Sequence, residues 1–264
     1  MQNHLNRVLI GGLLLLLAAC GGAGDSGGVP VSQNNPIEWD RSPTTIVFRA
    51  DVTGGNLDPF IARSEIPPCT IYGDNHIVWT NELGVNNIQV LEDRLTDQQV
   101  RDFVSFLAIN QEIYKYNAQA DLQIPTDVRP VVESLTLFVN GVNHKTDAFG
   151  GWTSDYYENI LLNCRGLSRA PVIYVPTGAW VSALEVPYSS DSLRTPWSAS
   201  ASGLNLSELA ASGERRWITG QNVPILWNLF RTSPLNIQFF EDDTQYNLAL
   251  EIPNITRESP PPPA

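Results

Sequence analysis

The sequence predicts an α+β fold, mainly antiparallel sheet built from hairpins, with two to four helices. Three observations carry that prediction. Strand-like segments come in neighbouring pairs around short turn motifs, the clearest being Asn140-Gly141. Helix-like patterns occur at only three places. Strands and helices do not alternate regularly, which argues against a doubly wound parallel sheet.

The body opens at residues 44–50, a β-branched run. Residues 71–79 read as two short strands around a Gly73-Asp74-Asn75 turn, and Ile88, Val90 and Leu91 supply a third strand of the same meander. Residues 95–110 make the best helix. Thr96 with Gln99 forms a capping box, and Val100, Phe103, Val104 and Leu107 fall on one stripe. Residues 133–149 make the best hairpin. There Leu135, Leu137 and Val139 alternate with Ser134, Thr136 and Phe138. Residues 153–165 read as a helix stopped by Gly166. Residues 172–175 and 179–186 are strand-like, with Pro176 confining them to an edge or bulge. Residues 222–231 form a short helix, and 236–240 with 246–252 a last hairpin across Glu241-Asp242-Asp243-Thr244. Each half offers strands, a helix and a hairpin, as a loose duplication would, although no residue-level repeat accompanies it. Two segments, 111–130 and 187–205, are expected as long loops.

Composition narrows the function. The chain has 264 residues and a formal net charge of −12. That balance repels phosphate backbones, so nucleic acid is excluded as a partner. Three Cys and three His exclude zinc fingers and cysteine-dense scaffolds. The H-E-x-x-H, S-x-x-K and Walker patterns are absent, and no cofactor motif is present.

The N-terminus is the most specific segment. Arg7 gives a short positive region, and residues 8–19 are apolar, too few to cross a bilayer. The stretch ends Leu17-Ala18-Ala19-Cys20 and continues Gly21-Gly22. It resembles the lipobox of bacterial lipoproteins. The resemblance implies cleavage before Cys20, alkylation of its thiol by a diacylglyceryl group, acylation of the new amine by a chain such as palmitate, and attachment to the cell envelope. In that family Asp after the Cys retains a protein at the inner membrane, so Gly21 points to the outer membrane if the cell has one. Two or three acyl chains anchor stably where one is marginal. The expected organisation is a signal peptide (1–19), lipidated Cys20 and a flexible tether (20–36), a globular domain (37–256) and a Pro-rich tail (257–264).

Lipidation leaves Cys69 and Cys164. Export places both in an oxidising compartment, so a Cys69–Cys164 disulfide is expected. His76 and His144 lie in hairpins at or near turns. They could share a metal or acid–base site, with Asp74 as a third group, only if those turns met in space. Glu241-Asp242-Asp243 could supply weak Ca²⁺ ligands, as could Asp51, Asn56 and Asp58, but neither set has an EF-hand spacing. Trp152, Tyr156 and Tyr157, beside Asp155 and Glu158, could stack on sugar rings or pack into the core.

Residues 67–75, Pro-Pro-Cys-Thr-Ile-Tyr-Gly-Asp-Asn, resemble a P-x-F-T-L-Y-G-D-G stretch found in a group of secreted and lipid-anchored bacterial proteins. The likeness continues thinly through Thr53-Gly54-Gly55, the helix from Thr96 and the Asn140-Gly141 hairpin. It then takes in Thr195-Pro196-Trp197 and the segment from Gly220 to Tyr246-Asn247-Leu248. Asn75 stands where the group has Gly, and Cys69 where it has an aromatic residue. The resemblance implies export but no catalytic residue. The expected function is therefore a lipid-anchored envelope protein acting as a binding or structural module, with an envelope protein or glycan as ligand. The alternative is a glycan hydrolase working through Asp74 or Glu158. A third reading is an enzyme inhibitor that inserts the 187–205 loop.

Overall fold

In the computed structural model the described residues are 28–263, apart from 35, 121–128 and 235. They form twelve strands and six helices in two sheets, an α+β fold with mostly antiparallel pairing. None of the helices is long and apolar enough to cross a membrane.

The first sheet has seven strands in the order β6-β5-β1-β2-β3-β4-β7. These are β1 (Ile46–Gly54), β2 (Cys69–Tyr72), β3 (His76–Gly84), β4 (Asn87–Arg94), β5 (Val131–Val139), β6 (Val142–Asp147) and β7 (Val172–Ile173). The second has the order β10-β8-β12-β11-β9. Its strands are β8 (Gly178–Glu185), β9 (Arg194–Pro196), β10 (Arg216–Thr219), β11 (Gln238–Glu241) and β12 (Thr244–Glu251). Only β9 and β11 run parallel. The two sheets thus differ in size and strand order.

The centre of the first sheet is buried on both faces, which explains its unbroken apolar runs. On β3, Ile77 and Trp79 enter one core while Val78 enters the other. The first core is closed by α2 (Asp97–Ser105), its wide final turn at Phe106–Asn110, and α3 (Tyr156–Arg165). The second lies between Tyr72, Val78 and Val90 and the other sheet, filled by α5 (Leu206–Ser212) and α6 (Asn222–Thr232).

Local signals account for most boundaries. Thr96 accepts from the Gln99 amide (3.2 Å) while the Gln99 side chain accepts from the Thr96 amide (2.9 Å), the expected capping box. Asn140 and Gly141 have φ of 53° and 74°, as a type I′ turn requires. Asn75 sits at φ 66°, a conformation asparagine and glycine both tolerate. Three short helices escaped the sequence reading: α1 (Pro59–Ala62), α4 (Ala199–Ser202) and α5. Four to seven residues give too little periodicity to register. The same limit hid β9 and β10. Gly166 ends α3, but at φ −75°, so it does not form the left-handed stop its type suggested.

The N-terminal strap is more ordered than a tether. Val31 is buried, and Asn140 bonds Glu38 and Pro36. Gly28 lies so close to the β5–β6 turn that a Cβ would sit 2.2 Å from the Asn140 carbonyl oxygen. Further along, Trp39 donates to the Gly73 carbonyl (3.0 Å), and a Cβ on Gly73 would strike the Asp40 carbonyl oxygen at 2.0 Å. Arg41 stacks on Trp39 and grips both Asp97 oxygens at 2.6 and 2.8 Å. The tail is also held, since Arg257 is ion-paired and the Pro261 carbonyl accepts from Trp180 (3.0 Å).

Cys69 on β2 and Cys164 on α3 form a fully buried disulfide (S–S 2.02 Å) across 95 residues. It ties the sheet to its covering helix. Replacing both with Ala is expected to cost about 3–5 kcal/mol in urea unfolding, from the length of the closed loop. The strap makes a separate prediction. The Arg41 guanidinium and the Asn75 amide hold the Asp97 carboxyl down at about 2. Its stabilising contribution is present above the ordinary carboxylate range and fades as pH falls towards 2. Asp97→Asn should lower stability at neutral pH and flatten the pH dependence of thermal melts between about pH 4 and pH 2.

Candidate functional site

The structure separates most of the residues that the sequence offered for chemistry. Cys20 lies outside the described residues. His76 and His144 stand on β3 and β6, four strand spacings apart, about 19 Å. His76 Nε2 lies 2.8 Å from Glu92, and His144 Nε2 3.0 Å from the Ile113 carbonyl. Among the described residues no group of His, Cys, Asp and Glu converges on a metal-sized space. Asp74 is paired with Arg94. Glu241 accepts from the Leu206 and Ser207 amides (2.9 and 3.1 Å), capping α5, while Asp242 makes the hairpin turn at φ 52°. Asp58 caps α1, and Asp51 holds Arg257.

The aromatic cluster packs inward. Tyr156 and Tyr157 are buried in the first core, and Trp152 lies over them at 5.3 and 6.1 Å. Trp152 donates to Thr146 (2.9 Å) and Tyr156 to the Gln111 carbonyl (3.0 Å). Asp155 and Glu158 are exposed. Glu133, on β5, is raised above the ordinary carboxylate range, first by burial and then by the charge of Glu158. The 187–205 segment is pinned by β9, α4 and a Gln238 side chain that bonds Ser189 and Pro187. Residues 24–28 read Gly-Asp-Ser-Gly-Gly and fit a G-x-S-x-G spacing, and Ser26 lies outside the described residues.

Buried charge marks two other places. Where α1 meets both sheets, Arg257 holds Asp51 and Glu65, and Glu251 holds Arg63 and Arg215. Three arginines face three carboxylates, and Glu251 is fully buried. This cluster borders a notch of about 220 Å³ that also touches Arg129 and Glu258. Each of the cluster's six charges has a counter-charge, so it fastens layers together.

The second place is a groove of about 280 Å³ between α6 and the β4–β7 edge of the first sheet. Ile88, Val90, Ile173, Tyr174 and Trp227 give it an apolar wall, and Asn87, Gln89, Asn228 and Thr232 a polar rim. Arg231 lines it and is 7% exposed. Its Nη2 donates to the Ser64 carbonyl (2.9 Å), and its guanidinium lies 5.1 Å from the Trp227 ring. Its Nε is buried without a hydrogen-bond partner, and among the described residues no carboxylate pairs with it. Burial pulls the guanidinium down to about 10, with the charge of Glu65 working the other way. Glu65 itself is paired with Arg257. An arginine held charged in apolar surroundings costs on the order of a few kcal/mol, which a bound anion would recover. Tyr174, pushed far up by burial, keeps its phenolic proton.

Arg231 was missed in the sequence, but a signal was there. Val223, Trp227 and Arg231 repeat at four-residue spacing, so a charge stands in phase with the buried stripe of α6.

Fold and site together define a two-sheet α+β protein with an apolar groove that ends on an unpaired arginine. Comparison with protein-family models, with curated proteins and with solved structures finds no match to this chain.

The charge cluster yields a prediction. Glu251→Gln leaves Arg63 and Arg215 facing a neutral amide. The loss expected in urea unfolding is about 2–3 kcal/mol, below the value for a fully enclosed pair because both arginines reach solvent.

Proposed function

We propose that this chain is a lipid-anchored protein of the bacterial cell envelope whose globular part is a non-catalytic binding module. The groove that ends on Arg231 is its binding face. The observation that carries the binding role is the buried guanidinium without a counter-charge, at the base of an open apolar groove. The nearby Arg257, by contrast, is met by two carboxylates. The lipobox at Leu17-Ala18-Ala19-Cys20 supports the anchor.

Anchor and groove also make geometric sense together. Between Cys20 and the docked Gly28 lie seven residues, 21–27, which span at most about 25 Å. Gly28 packs against the β5–β6 turn, which supports a reading in which that edge of the first sheet lies nearer the lipid. The groove borders β7, the opposite edge, about 29 Å across the sheet at about 4.8 Å per strand. A ligand is thus met on the side away from the membrane.

The test uses full-length protein isolated from envelopes. Wild type should carry radiolabelled palmitate and fractionate with membranes, and Cys20→Ser should do neither. Wild type incubated with a small-molecule extract of envelopes, washed and then denatured should release a molecule already present in that extract, and the Arg231→Met variant should release none. Membrane association of the Ser variant would overturn the anchor. Release of a converted molecule would overturn the non-catalytic role and redirect attention to Glu133 and Glu158.

A further inference from the structure

We infer that the groove between α6 and the β4–β7 edge binds a small amphipathic carboxylate, its head on the Arg231 guanidinium and its apolar body against Trp227, Ile88, Val90 and Ile173. This rests on the groove being a ligand site and adds the chemical class of the ligand.

Four observations select that class. Charge comes first. Arg231 is the only basic residue of the lining, and no acidic residue lines the groove among the described residues. One uncompensated positive charge matches one negative charge. A phosphate or sulfate dianion would leave a second charge unanswered in a chain whose formal net charge is −12. A cation would meet the guanidinium with no acid to hold it.

Geometry comes second. Nε is buried and points away from Nη1, so those two cannot share a ligand. Nη2 gives one N–H to Ser64 and keeps another, and Nη1 makes no hydrogen bond among the described residues, so Nη1 and Nη2 form the planar fork that fits two carboxylate oxygens. Ser64 and the Trp227 ring fix the plane of that fork, so it is ordered before any ligand arrives.

The wall is the third observation. Ile88, Val90, Ile173, Val175 and Trp227 give the groove an apolar wall suited to a hydrocarbon body, with Asn87, Gln89, Asn228 and Thr232 at its rim. Tyr174 meets Trp227 edge to face at 5.7 Å and stiffens that wall. Size is the fourth. About 280 Å³ lies at the lower end of small-molecule pockets and admits a short chain or single ring.

The experiment is calorimetric titration of the purified full chain with octanoate, octanol and octylamine. Octanoate should bind, octanol at least tenfold more weakly, and octylamine not measurably. Arg231→Met should lose octanoate binding and keep a cooperative melt at a modestly lower temperature, because it removes a buried charge at similar volume but leaves the Ser64 carbonyl without its donor. Should that variant fail to fold, Ile173→Asp is the second test. Ile173 is 61% exposed, so the change is tolerated by the fold, and a new carboxylate in the lining should weaken octanoate at least tenfold. Octanol binding as tightly as octanoate would overturn the carboxylate assignment and leave the groove as a ligand site. Binding of neither would overturn both. Unchanged octanoate affinity in Arg231→Met and Ile173→Asp would overturn the location.

Discussion

The middle strands of the first sheet have no solvent face, and the rest of the architecture answers that constraint. Ile71, Ile77 and Trp79 point one way, Tyr72, Val78 and Val90 the other. Both surfaces have to be covered, at about 25 cal/mol for each Å² of apolar area removed from water. Helices α2 and α3 cover one surface, and α3 is held there by the Cys69–Cys164 bridge. The second sheet and α6 cover the other. The chain therefore crosses between layers several times, and each crossing carries polar backbone into a region of low dielectric.

Charged side chains meet that cost at the crossings. The stretch from Arg63 to Glu65 passes between the sheets, and each of its charges is matched: Arg63 by Glu251, Glu65 by Arg257. Ser64 contributes too, its hydroxyl accepting from the Leu250 amide (2.9 Å) and its carbonyl from Arg231. Arg231 alone among these groups has a carbonyl but no carboxylate. The contrast matters because the neighbourhood is well supplied with acids that already have partners. Arg231 thus differs from Arg63, Arg215 and Arg257, each of which faces a carboxylate.

Much of the fold was legible in the sequence, for reasons tied to particular residues. Thr96 and Gln99 state a helix start in one tetrapeptide, and Asn140-Gly141 states a hairpin turn in two residues. Such signals are local, so no tertiary context is needed to read them. The disulfide was legible because a resemblance to exported proteins and an even pair of thiols leave few options. The segment from 187 to 219 was not legible. There β9 is three residues long and pairs in parallel with β11, more than forty positions away, and α4 and α5 are shorter than the window over which a helical period can be recognised. The site was less legible than the fold. His76, His144, Asp74 and Glu158 drew attention by residue type, yet each is taken up by a neighbour or faces solvent. Arg231 drew none, because an arginine near a helix C-terminus already has an ordinary explanation in the helix dipole.

That ordinary explanation fails on burial. A cation that stabilises a helix end does so from the surface, where water screens its charge, whereas Arg231 is turned inward along the Val223–Trp227 stripe. Turning inward also fixes where the groove can be. The stripe faces β4, so the guanidinium emerges at the sheet's β7 side, opposite the β6 side on which Gly28 and Val31 dock. One sheet thus separates the attachment of the chain from its unpaired charge. Its seven strands put about 29 Å between the docked Gly28 and the groove, because edge strands β6 and β7 extend the doubly buried centre on either side.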